Sequence, residues 1–269
     1  MSPTTFQPWL ARWQLQSDGD PLHTYSSDLW PVRWQGQAAM LKLARSEEER
    51  RGAAQMTYWR GEGAARVLEV SEDGAALLLE RLSGPRSLTA LVQTGQDDEA
   101  SRILCAAVAE LHRPRPQPRP ALVPLRVWFR ALWEGARTDP RLRPAAALAR
   151  DLLDDPRDVV VLHGDIHHAN VLDAGARGWL AIDPKGLWGE RGYDYANILC
   201  NPDLSLALSP GRLERQLDVV ARAARLDPER LRRWVAAYTG LSAAWWLEDG
   251  AAEAAAPVLE LHRRVLALL

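Results

Sequence analysis

VLHGDIHHANVLDAGARGWLAIDPKG, residues 161–186, decides how this chain folds. Within it HGDIHHAN (163–170) sets a His, an Asp and an Asn at short spacing, and Asp183 follows behind an apolar run. VVVLHG (159–164) reads as a buried strand entering a loop, and VLDAG with GWLAID (171–183) as a hairpin that returns a second carboxylate to that loop. A loop carboxylate, an amide five residues on and a carboxylate one hairpin away suit phosphoryl transfer. Asp165 can orient a hydroxyl and take its proton. Asn170 and Asp183 offer the oxygen donors that Mg2+ needs against nucleotide phosphates.

The stretch resembles the protein kinase catalytic loop, H-R-D-x-x-x-x-N followed by D-F-G, with His163, Asp165 and Asn170 on its fixed positions and Asp183 as the later Asp. D-P-K-G stands where those kinases have D-F-G, so the mobile Phe switch is expected to be absent and Pro184 to stiffen the turn. His163 reads as a hydrogen-bonding residue of the loop, and Asp194 in GERGYDYAN as a brace for it. His163, His167, His168 and Asp165 also admit a dinuclear phosphoesterase, but its early D-x-H and late G-N-H motifs are missing.

Of 33 basic residues only Lys42 and Lys185 are lysines. Lys is a compact point charge on a flexible stem, which suits a nucleotide phosphate site. Residues 24–43 read as two strands around Gln35-Gly36-Gln37, the second carrying Lys42 amid apolar neighbours. A helix should start at Ser46, a good N-cap, and run to Trp59; VLEV (67–70) and ALLLERL (76–82) form a hairpin. Glu47, Glu48 and Glu49 are the nearest acidic partners for Lys42, with a weak preference for Glu49. No glycine-rich phosphate loop is present; Ser26-Ser27-Asp28 occupies its place. Lys185 can contact the phosphoryl group or substrate, or pair with Glu190.

Beyond Gly84-Pro85 helices are expected over 88–92, 100–111, 125–134, 145–153, 210–225, 228–249 and 252–268, with a Pro-rich loop at 113–124. A β-rich start and a helical remainder give an α+β, bilobal, protein-kinase-like fold, with one helix on a small antiparallel sheet. The lobes are expected at 1–83, binding nucleotide, and 84–269, carrying the catalytic loop, metal site and substrate pocket. A net charge of −2 over 269 residues argues against nucleic acid or a membrane surface as partner. Nine Arg between 113 and 150 read as a solvated face. Cys105 and Cys200 read as buried hydrophobes in a reducing cytoplasm. The first residues lack a basic segment followed by an apolar one, so no signal peptide is expected.

VLHGDIHHANVL and GWLAIDPKGLWGERGYDYANILCNP, with AAMLKL, WRGEGAARVLEV and ALLLERL upstream in the same order, closely resemble the aminoglycoside phosphotransferase family, in its streptomycin 6-kinase and hydroxyurea phosphotransferase branch. The resemblance implies an ATP- and Mg2+-dependent O-phosphotransferase of antibiotic resistance, working in the cytoplasm as a monomer or weak dimer. Streptomycin 6-phosphotransferase is the first expectation. Hydroxyurea, another aminocyclitol or a metabolite as acceptor, or a catalytically silent binding protein, are the alternatives. By position the base falls on Asp165, metal on Asn170 and Asp183, and nucleotide phosphate on Lys42. The adenine falls on the hinge from Glu80 to Leu82. For a cationic acceptor the helical part offers Trp245, Trp246, Glu248, Asp249 and Glu253, beside Lys185.

Overall fold

Alternation along the strand Gln37–Ala44 positions the site: Ala39, Leu41 and Leu43 are buried on one face while Met40 and Lys42 look out from the other. The computed structural model describes residues 5–24 and 26–269; residues 1–4 of the segment read for a signal peptide, and Tyr25 of the first expected strand, lie outside them. The N-terminal sheet is antiparallel, in the order Gln16–Ser17, Ser27–Trp34, Gln37–Ala44, Ala76–Glu80, Val67–Val70, with Leu22–His23 also on Ser27–Trp34. Gln35 and Gly36 join the long strands with φ of 49° and 82°, the two positive values that a tight hairpin turn takes.

One face of the sheet closes over Phe6, Leu15, Trp30 and Val32, beside a short helix Gln7–Arg12 that the sequence did not signal. The other face, with Leu77 and Leu79, joins the large core of the rest of the chain through the helix Glu47–Trp59. Ser46 caps that helix, accepting from the Glu49 N–H at 3.3 Å, and Glu47–Glu49 fill the first turn where the helix dipole favours carboxylates. Trp59, buried at its far end, stacks on the His163 ring.

The helical part is built on Pro228–Glu248, which packs against Ala252–Leu266, Arg143–Asp154 and Arg130–Thr138. Three boundaries depart from the periodicity. The helix expected from 125 to 134 breaks at Phe129, buried between Leu125–Trp128 and Arg130–Thr138. The helix expected from residue 100 starts at Asp97, where Asp97 binds Arg212. Leu187–Glu190, not expected as a strand, lies between Val159–Leu162 and Val123–Pro124. Both cysteine thiols are pushed up to about 12 by burial, which keeps them protonated. Among the described residues no helix is long and apolar enough to cross a membrane.

Candidate active site

The loop that follows Val159–Leu162 is held by one carboxylate. Asp194 accepts the backbone N–H of His163 at 2.8 Å and of Gly164 at 2.7 Å, and pairs with His112 Nε2 at 2.8 Å. His163 is fully buried; Nε2 donates to the Ile182 carbonyl at 2.8 Å and Nδ1 accepts the Asp165 N–H at 3.2 Å. Burial lowers its pKa, in keeping with a neutral ring that links loop to hairpin. His168 is buried toward Asp97 and Arg212, so the histidines do not converge as a dinuclear phosphoesterase would need.

Asp165 is thereby presented at a cleft. Its Oδ1 accepts from Asn197 Nδ2 at 3.0 Å, and its backbone carbonyl from Asn170 Nδ2 at 2.9 Å. Asn197 was not singled out in the sequence, although it stands in the quoted DYAN. The bond to Asp165 occupies the amide nitrogen of Asn170 and leaves its oxygen, the end a hard cation takes. The hairpin Val171–Asp173 with Trp179–Ala181 brings Asp183 back alongside, with φ of 63°, a left-handed conformation sparsely allowed to non-glycine residues. Burial alone would raise the Asp183 carboxyl, but Lys42 and Lys185 more than offset it and hold it well below the usual carboxylate range. Asn170 and Asp183 therefore fit Mg2+ as an ionised carboxylate and an amide oxygen on one cavity wall.

Lys42 binds both Glu49 and Asp183, joining sheet, helix and hairpin. Its acidic partner is thus Glu49, the third of the run. Gln55, which no local sequence pattern marks out, ties the same helix to the loop: its Nε2 donates to the Leu162 carbonyl and its Oε1 accepts the Gly186 N–H at 2.8 Å. Lys185 does not reach Glu190, which Arg230 and Trp234 bind; its Nζ lies 3.4 Å from Glu48, 3.5 Å from Asp183 and 3.7 Å from Asp165. Burial would lower the Lys185 pKa, but Asp183, Asp165 and Glu48 raise it overall. Burial also raises the Glu48 carboxyl, against Lys185.

Two cavities adjoin these groups. One, of about 380 Å³, has Lys42, Glu49, Asn170 and Asp183 at polar positions and Met40, Leu82 and Ile182 among its apolar walls. Thr24, Ser26 and Ser27 line it in place of a glycine-rich loop, while Asp28 binds Arg45 instead. Glu80 also lines it, with its carboxylate taken by the Arg66 N–H at 2.7 Å and by Arg177 and its own N–H by the Arg66 carbonyl at 3.0 Å, which leaves its backbone carbonyl as the group a base could use. The second cavity, of about 620 Å³, is lined by Asp165, Lys185, Glu248 and Asp249 with the rings of Trp128 and Trp245. Trp246 is 43% exposed, and neither it nor Glu253 lines that cavity.

Comparison with known proteins gives the family and the fold. The family model for aminoglycoside/hydroxyurea antibiotic resistance kinase matches residues 12–250. The chain is 53% identical over 246 residues to a streptomycin 3''-kinase of Klebsiella pneumoniae, covering 90% of this chain and 92% of that one. It is 34% identical over 255 residues to a streptomycin 6-kinase of Streptomyces griseus, covering 89% and 81%. Among solved structures, aminoglycoside phosphotransferase APH(4)-Ia superposes with a TM-score of 0.71 over 99% of both chains at 18% identity, a likeness of fold. The chain belongs to the aminoglycoside/hydroxyurea antibiotic resistance kinase family, whose members phosphorylate hydroxyl groups.

Proposed function

We propose that this protein transfers the γ-phosphoryl group of ATP, with Mg2+, to a hydroxyl of streptomycin. The observation that carries the reading is the adjacency of the two cavities: Lys42, Asn170 and Asp183 line one, Asp165 lines the other, and Lys185 stands between Asp165 and Asp183. Nucleotide use is supported by fold neighbours solved with ADP or AMP-PNP. The greater likeness to a 3''-kinase than to a 6-kinase favours the 3''-hydroxyl over the 6-hydroxyl expected from the sequence.

In this reading residues 1–83 bind the nucleotide and 84–269 carry the chemistry. Lys42, kept in place by Glu49, draws the α- and β-phosphates, and the backbone from Glu80 to Leu82 takes the adenine. Mg2+, when bound by Asn170 and Asp183, neutralises charge on the phosphates. Asp165, oriented by Asn197, accepts a hydrogen bond from the acceptor hydroxyl and receives its proton as the phosphoryl group moves. Glu248 and Asp249 meet the acceptor's guanidinium groups, and the rings of Trp128 and Trp245 its flat faces. One chain supplies every group, so a monomer suffices, and dependence on ATP sets the reaction in the cytoplasm.

The test is mass analysis after incubation with ATP, Mg2+ and streptomycin, alongside other aminocyclitols and hydroxyurea. The expected result is one phosphate increment on streptomycin, located at 3'' by fragmentation. ADP formed only with another alcohol would remove streptomycin as acceptor. Asp165→Ala should lower turnover by about 10²–10⁴-fold while ADP still binds; a protein silent in both forms would be a binding protein.

A further inference from the structure

A cleft for a polycationic acceptor should be acidic, yet Arg51, Arg130 and Lys185 all stand in its wall beside Asp165. Two of the three are accounted for. Arg130 is bound by Glu134 at 2.6 Å and Glu248 at 3.0 Å. Lys185 has Glu48, Asp183 and Asp165 within 3.7 Å. The Arg51 side chain has no hydrogen bond or ion pair among the described residues, and its Nε is buried without a partner. A half-buried guanidinium left unpaired costs desolvation and repels a cationic acceptor, which is tolerable only where an anion arrives.

Its position says which anion. Arg51 lies one turn beyond Glu48 on the helix Glu47–Trp59, and a Cβ added to Gly186 would lie 2.6 Å from the Arg51 Cβ. The stem of Arg51 thus packs on the residue that follows Lys185, so both cations enter the acceptor cavity from neighbouring backbone with Asp165 between acceptor and nucleotide. Resting on the kinase reading above, the geometry points to Arg51 and Lys185 as an anion clamp for the transferred phosphoryl group, in flight and on the phosphorylated product. The acceptor oxygen bonds to the γ-phosphorus as the bond to the bridging oxygen breaks; that electron pair leaves on ADP, and the hydroxyl proton passes to Asp165. Nucleotide binding engages Asp183, so one of the three carboxylates around Lys185 is occupied elsewhere before any acceptor arrives. Lys185 and Arg51 then donate to the equatorial phosphoryl oxygens, where charge accumulates.

The experiment is calorimetric titration of ADP into protein with Mg2+, with and without aluminium fluoride as a mimic of the phosphoryl group in flight. Wild type should bind ADP roughly tenfold tighter with the mimic. Arg51→Met and Lys185→Met should lose most of that gain while ADP alone binds within about threefold of wild type, and Arg51→Lys should keep part of it. In turnover both Met variants should lower kcat more than they raise either KM. Variants that keep the full gain, or a wild type that shows none, would overturn the clamp. The titration contains no acceptor, so a wild type that fails to phosphorylate streptomycin counts against the acceptor alone.

Discussion

At the residue scale the loop depends on Asp194 more than on any group it presents. Two buried backbone N–H groups and Nε2 of half-buried His112 converge on its two buried oxygens. Asp194→Asn keeps the shape but turns an NH2 group toward a donor that needs an acceptor. The expected cost is about 2–4 kcal/mol of stability, read from urea unfolding, with turnover lowered because Asp165 follows Gly164. Unchanged stability would mean that the loop is held elsewhere. Asp194 was legible as a brace because it falls in a dense polar motif close in sequence. Lys42 stood out because lysine is so rare here. Arg51, Gln55 and Asn197 did not stand out: each acts by touching a distant segment, and nothing in the local pattern distinguishes them from surface polar residues.

At the element scale the helix Glu47–Trp59 couples the sheet to the loop, and its seat is set by a missing side chain. A Cβ on Gly52 would lie 2.5 Å from the Pro184 carbonyl oxygen, a backbone atom one residue beyond Asp183. Helix propensity favours Gly52→Ala by about 1 kcal/mol, whereas overpacking against rigid backbone costs about 1–3 kcal/mol. The second effect should win. Gly52→Ala is expected to lower the melting temperature and weaken ADP binding, because Glu49 moves away with the helix and loosens Lys42. A stabilised variant with unchanged ADP affinity would show that the helix is not seated there. Helix and strand order was readable from periodicity and caps, which are local. The break at Phe129 and the strand Leu187–Glu190 were not, since burial of one ring and pairing with Val159–Leu162 decide them.

At the scale of the whole molecule, two buried histidines, His168 in the catalytic loop and His262 in the last helix, set the acid limit of the fold. His262 joins the last two long helices through Nδ1 and Thr239 Oγ1 at 3.1 Å, with Nε2 unpartnered; His168 is buried with neither nitrogen partnered among the described residues. Burial lowers both to about 4, with Arg212 adding to the effect on His168. Each folded pKa is below the unfolded value near 6.5, so between these values the unfolded chain binds more protons and stability rises with pH. The contribution is fully present above pH 6.5 and is lost as pH falls through 4. Buried His163 and half-buried His167 act in the same direction, and Glu48, raised by burial, in the opposite one. Between pH 7 and pH 5 each of His168 and His262 should remove about 2 kcal/mol of unfolding free energy. His262→Leu isolates one of them. Thr239 Oγ1 also donates to the Val235 carbonyl at 2.8 Å, so its hydroxyl stays bonded in the variant. Urea unfolding of wild type and His262→Leu at pH 7 and pH 5 should show the pH-dependent loss smaller by about 2 kcal/mol in the variant. An equal loss in both proteins would mean that the His262 ring is protonated at no cost to the packing of the last two helices.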